Sequence, residues 1–334
     1  MMAVAALAAC TKSEVAFEQP DAIGFQVVTG KMTKAAVTDN VYPEALNMYV
    51  FAMTETDDEA ANTTADYLKN AEFAKVLVTN GQNLWGGWLN DAAYPYYWPN
   101  VKKLYFAGVS KSGNVNNGAT PTYNDGTITI PGYQPGVGTT ALGDNDLMWF
   151  PTTEESYGKG TVSVPVVMKH ACSWITVKMA GDEWTAIRYT ITDIHIEGLT
   201  TKGDVALNTA AAWTLSKDDA DKNKTFSVYS NTTGKVLSTT ATEVGFENIA
   251  NNTVVLPEQV PGTLSITYNF ESQAGETITE TVTGSLKFDG DNTWAAGTHY
   301  IYTVTITASQ ILIAPTVQTW TPSPAEGGHG VTVQ

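Results

Sequence analysis

Cys10 is the residue whose setting most clearly suggests chemistry. It ends the wholly apolar run MMAVAALAA, and the chain turns polar directly after it at Thr11, Lys12, Ser13 and Glu14. Leu7-Ala8-Ala9-Cys10 resembles the bacterial lipobox, where a thiol carries a diacylglyceryl thioether and the small side chains before it suit a signal peptidase. The pattern predicts a lipoprotein signal over residues 1–10 that ends at a lipidated Cys10. The membrane would then be reached through the lipid anchor only, and several acyl chains hold durably. The alternative is a short buried apolar segment with an incidental cysteine.

The residues offer little catalytic chemistry. GxSxG, HExxH, Walker A and CxxC patterns are all missing from the sequence. The four histidines are His170, His195, His299 and His329, and no pair of them has the helical spacing of metal ligands. Gly136-Val137-Gly138 lacks the helix and the later acidic residue of a dinucleotide site. Asp144-Asn145-Asp146 and Asp289-Gly290-Asp291-Asn292 carry oxygen ligands suited to Ca²⁺, but both also read as turns, and neither has the later glutamate of an EF-hand. Cys172 falls within an apolar strand pattern and reads as a small buried hydrophobe. The expectation is a protein with no catalytic residues, no metal and no cofactor. Trp85, Trp88, Tyr94, Tyr96, Tyr97 and Trp98 form the densest aromatic cluster. Such rings can stack on sugar faces, with Trp85, Trp88, Tyr97 and Trp98 as the candidates, or they can cover the end of a β-sandwich while keeping a polar tip in water.

Composition narrows the partners. Lys+Arg total 18 against 34 Asp+Glu, a net charge of −16, and Arg188 is the single arginine. A chain so acidic has no basic face for nucleic acid or for an anionic membrane surface. Two cysteines, one of them in the signal, cannot build a disulfide framework. No uninterrupted apolar stretch of about 18 residues exists to form a transmembrane helix.

The elements that must position these residues read as strands. His299–Thr307 alternates, with Tyr300, Tyr302, Val304 and Ile306 on one face, and Ile278, Val282, Leu286 and Phe288 do the same in the segment before it. Similar β-rich runs occur at Phe25–Thr29, Leu46–Met53, Leu104–Ala107, Thr127–Ile130, Thr161–Met168, Ser173–Met179, Tyr189–Ile196, Thr225–Tyr229, Thr253–Leu256, Leu264–Phe270 and Ile311–Val317. Only Ala65–Val78 offers a helical pattern, without strong caps. The fold class is all-β. A length of 334 residues suits two domains, and the polar, Gly- and Pro-bearing stretch 151–160 is the expected linker between residues 11–150 and 161–334.

These pieces together carry a family resemblance. Tyr97-Trp98-Pro99 precedes the strand 101–107, Asp146-Leu147-Met148-Trp149 closes the first half, and Val166–Cys172 with His170 opens the second. Val255-Leu256-Pro257-Glu258-Gln259 follows, then Thr293-Trp294-Ala295-Ala296-Gly297 before Tyr300-Ile301-Tyr302, and Ile311 to Trp320 ends in a tryptophan. In this order and spacing, with the lipobox, the chain resembles the fimbrillin-like lipoproteins of Bacteroidales, the type V pilins. The resemblance implies two tandem transthyretin-like β-sandwich domains. It implies a fimbrial subunit that adheres, exported as an outer-membrane lipoprotein exposed at the cell surface and found in the fimbrium after maturation.

Assembly in such a family is by donor-strand exchange: a trypsin-like maturation protease removes the first strand, and a strand from another pilin subunit, in a homo- or hetero-polymer, fills the groove. Carried onto this chain, the removable strand is the segment with Ile23, Phe25 and Val27. The cleavage position is Lys34, or Lys31, where the family has arginine. The donor segment is Ile311, Ile313 and Val317, or the terminal Val331 and Val333. The host or bacterial surface ligand stays unknown. The rival reading is a glycan-binding outer-membrane surface lipoprotein that uses the Trp85–Trp98 aromatics.

Overall fold

The computed structural model describes residues 24–29, 48–54, 76–80, 88–90, 104–115, 118–124, 126–135, 146–155, 164–182, 188–244, 254–257, 259, 261–272, 274–287, 293–307, 311–319 and 331–332. The first strands are β1 (Gly24–Thr29), β2 (Met48–Thr54), β3 (Val76–Asn80), β4 (Trp88–Asn90) and β5 (Leu104–Ser110). After a 3-10 turn at Gly113–Val115 come β6 (Thr122–Asn124), β7 (Thr127–Tyr133), β8 (Met148–Glu155) and β9 (Val164–His170). Next are β10 (Ser173–Gly181), β11 (Tyr189–Leu199), β12 (Gly203–Leu207), β13 (Ala211–Leu215), β14 (Lys224–Val236) and β15 (Thr242–Val244). The last are β16 (Val254–Val255), β17 (Thr263–Glu271), β18 (Thr277–Ser285), β19 (Thr298–Ile306), β20 (Ile311–Thr319) and β21 (Val331–Thr332).

Strand pairing sorts them into four sheets. One runs β1-β4-β3-β2-β5-β8-β9 and returns to β1, so its hydrogen bonding closes on itself. The sheet β13-β12-β7-β6 packs against this ring. Their shared core holds Phe51, Phe106 and Trp149 from the ring with Ile128, Ile130, Val205, Leu207 and Trp213 from the smaller sheet. A second core lies between β15-β10-β19-β20-β21, where β16 also pairs β10, and the sheet β14-β11-β17-β18. Tyr300, Tyr302, Val304 and Ile306 line it from β19, as their alternation predicts.

β11 shows how a bulge bends that rule. Ile191 and Ile194 both face the core although three positions apart, because the register slips between Ile191 and Asp193. The extra residue shifts the inward face from odd to even positions.

Three expectations are corrected. The helical pattern 65–78 ends in a strand, since 76–78 belong to β3 and its earlier residues lie outside the described ones. The spacing of Leu77 and Val78 served a strand that pairs β2 and β4. Ile278 is 37% exposed and Val282 half-buried, so β18 does not present a buried face over its length. It stands at a sheet edge, where Val282 packs partly against the second core and Leu286 beyond the strand's end is fully buried in it, while Phe288 lies outside the described residues. The expected linker 151–160 begins inside a strand: Pro151–Glu155 is the second half of β8, and β9 returns to the same sheet. The first core accordingly takes in Val164, Val166, Met168, Cys172 and Trp174 from beyond the expected boundary.

Candidate functional site

β1 is the seam of the ring. It runs parallel to β9, with Phe25 opposite Val164, Val27 opposite Val166 and Thr29 opposite Met168. On its other side it is antiparallel to β4 over two positions, Gly24 with Leu89 and Phe25 with Trp88. The pattern of β9 explains why this place suits a strand. Val164, Val166 and Met168 are buried in the first core, while Val167 between them is exposed. A neighbour that pairs with β9 therefore extends one apolar face and one wet face.

Two expected site residues, Phe25 and Val27, thus lie in β1, and Trp88 of the aromatic cluster lies beside it in β4. Cys10, Ile23, Lys31, Lys34, Trp85, Tyr97, Trp98 and Val333 lie outside the described residues. At the other end of the chain, Ile311, Ile313 and Val317 belong to β20, which pairs β19 at nine consecutive positions from Thr298–Thr319 to Ile306–Ile311. Val331 belongs to β21, which pairs β20 at two positions only, Gln318–Thr332 and Thr319–Val331. The two candidate donor segments are therefore held very unequally.

A buried polar joint lies where the chain leaves the ring for the second core. The Asp146 carboxylate Oδ2 meets His170 Nδ1 at 2.5 Å, with both side chains nearly enclosed. Burial pushes the Asp146 carboxyl up from its ordinary value, and the His170 ring pulls it part of the way back. Around it, burial also raises the Tyr133 phenol and the Cys172 thiol. Cys172 sits at the bend between β9 and β10 and is free and buried. The bend is held at successive backbone groups. Ala171 N donates to the Leu147 carbonyl at 2.8 Å, the Trp213 indole N–H donates to the Ala171 carbonyl at 2.7 Å, and Gly297 N donates to the Cys172 carbonyl at 2.8 Å.

Asp146, read as a turn residue or Ca²⁺ ligand, is thus an internal anchor. Its partner lies 24 residues away, and no local spacing signals the pair. His299 is likewise internal: it stacks on Trp174 with centroids 3.6 Å apart, and its Nε2 is 2.7 Å from Thr176 Oγ1. His195 pairs with Asp193 two residues before it on β11. Among the described residues no three His, Cys, Asp or Glu side chains converge to hold a metal. No helix among them is long and apolar enough to cross a membrane.

A family model described as fimbrillin-like matches residues 33–320. Among solved structures, a candidate cell adhesion protein of Bacteroides uniformis is similar at a TM-score of 0.53 and 15% identity, over 90% of this chain and 98% of that one. A fimbrial protein of Bacteroides vulgatus is similar at a TM-score of 0.51 and 14% identity, over 90% of this chain and 99% of that one. At such identities the likeness is one of fold. No curated protein sequence matches the chain. With the family model spanning β2 to β20, the chain belongs to the fimbrillin-like family, whose members are structural proteins of fimbriae and not enzymes.

Proposed function

We propose that this protein is a subunit of a surface fimbria, exported as a lipoprotein precursor lipidated at Cys10 and assembled by protease-triggered donor-strand exchange, with a role in adhesion. Family membership supports a place at the cell surface or in a fimbrium, among other pilin subunits. The observation that carries the mechanism is the position of β1. It closes the ring, lies before the span matched by the family model, and is held to β4 by only two register pairs. Loss of β1 would leave the β9 backbone from Val164 to Met168 without its partner, beside three buried apolar side chains. An open edge of this kind takes an incoming strand through backbone hydrogen bonds and alternating pockets.

Lys31 and Lys34 follow β1 directly and are the cleavage positions for a trypsin-like protease. The donor is the terminal segment with Val331 and Val333. β21 gives up two register pairs on leaving, whereas β20 would give up nine and uncover the second core. A strand given head to tail, without closure, builds a filament.

Limited trypsin digestion of the precursor, followed by mass spectrometry and negative-stain microscopy, tests this. The expected result is cutting at Lys31 or Lys34, release of β1 and growth of filaments. Resistance at both lysines, or a cut product that stays monomeric, would overturn it.

A further inference from the structure

Among the described strands, the free edges of the second core are unequal. β14 is blunted by Lys224 and Lys235 and by three slips in its register with β11. β20 carries Pro315, which has no N–H to offer, and is capped at one end by β21. β18 has neither device. It pairs β17 at nine consecutive positions without a slip, and on its other side no described strand pairs with it. Thr277, Ile278, Thr279, Glu280 and Thr281 are all exposed, and the strand TITETVTGS carries one charge. Natural sheets normally protect so long and regular an edge.

We infer that β18 is a lateral interface that takes the β18 of a second copy, antiparallel across a twofold axis at Thr281. The sequence of the strand is self-complementary about that point. The arrangement pairs all nine residues and sets Thr279 opposite the other copy's Thr283, Ile278 opposite Gly284, and Glu280 opposite Val282. The two carboxylates, the strand's only charges, are then diagonal to each other and not directly opposite. On one face the pairing continues a polar ladder already present, in which Thr267 and Thr281 hydroxyls lie 2.9 Å apart and Thr279 donates to Asn269 at 2.8 Å. On the other it brings Ile278, 37% exposed, diagonal to the partner's half-buried Val282. The contact is isologous and closes at two copies, so it would join filaments sideways rather than lengthen them.

The test is the mass of the purified full chain by sedimentation equilibrium over a range of concentrations. The wild type should show a concentration-dependent dimer. The variant T279K/T283K sets like charges opposite each other twice and should weaken dimerisation about tenfold or more. The variant T279K/T283E sets opposite charges in the same places and should restore it. Both changes lie on an exposed strand face, and unchanged circular dichroism would certify the fold. A wild type that stays monomeric, or two variants that dimerise alike, would overturn the proposal. So would a mass that climbs past two copies and is indifferent to both variants, as end-to-end exchange alone would give.

Discussion

Asp146 and His170 meet inside the protein at 2.5 Å, one just before β8 and the other at the end of β9, where Met148 and His170 stand opposite each other in register. The pair ties together the two strands that bracket the middle of the chain, and it does so at the point where the backbone passes from the first core to the second. Removing one member of such a pair leaves the other's polar group enclosed without its counterpart.

Asp146→Ala should therefore lower the unfolding free energy by about 3 kcal/mol. Asp146→Asn keeps an acceptor for the imidazole and should cost about half as much. Denaturant titration of the purified variants checks this, and midpoints equal to wild type would show that the joint is not an anchor.

Gly297 should resist substitution. Its φ is +64°, its N–H holds the Cys172 carbonyl, and a Cβ there would come within 3.1 Å of the His170 carbonyl oxygen. Gly297→Ala is expected to cost about 1–3 kcal/mol. A melting temperature within a degree of wild type would contradict it.

Tyr268 should titrate late. Its ring stacks on Tyr189 with centroids 4.8 Å apart, its hydroxyl donates to Glu280, and burial followed by that carboxylate pushes its pKa up to about 12. In the unfolded chain the phenol ionises near 10, so its contribution to stability is whole below pH 10 and is lost as pH rises toward 12. Tyr268→Phe should flatten that alkaline loss, and Glu280→Gln should bring the phenol's titration down. Phenolate absorbance and stability measured between pH 9 and pH 12 decide the matter.

Cys10→Ala should move the protein from the membrane fraction to the soluble fraction of its host cell. An unchanged distribution would remove the lipid anchor from the account.

Deleting residues from Val331 onward should leave a folded subunit that no longer elongates, because β21 contributes two register pairs to its own sheet. Filaments of normal length from the truncated chain would assign donation elsewhere.

Much of this architecture was legible in the residues. β19 could be read because Tyr300, Tyr302, Val304 and Ile306 alternate along it and all line the second core, although His299 and Ile301 between them are buried as well. β10 and β17 are also rich in β-formers. β8 was hidden by its second half, where Pro151, Thr152, Thr153, Glu154 and Glu155 look like a linker. β12 and β13 are five residues each, and the buried face of β12 begins at Gly203, which has no side chain to mark it as apolar. At the candidate site, β1 showed as a strand in the sequence, but its parallel pairing with β9 did not, because nothing local to Phe25 records a partner at Val164. The same distance concealed the role of Asp146, whose short polar side chain reads locally as turn chemistry.

The ring seam also has a history in time. Phe25 and Val164 lie 139 positions apart, so β1 cannot find β9 until nearly half of the chain has been delivered. Pairings of such long range form slowly, after the local hairpins on either side. During synthesis the first core would wait with its seam unstitched while β2, β3 and β5 assemble, exposing for a while the edge of β1 that β9 later covers. A chaperone that shields strand edges would find its substrate in that interval. A mutation that slows delivery of β9 would lengthen it, without altering any contact of the finished fold.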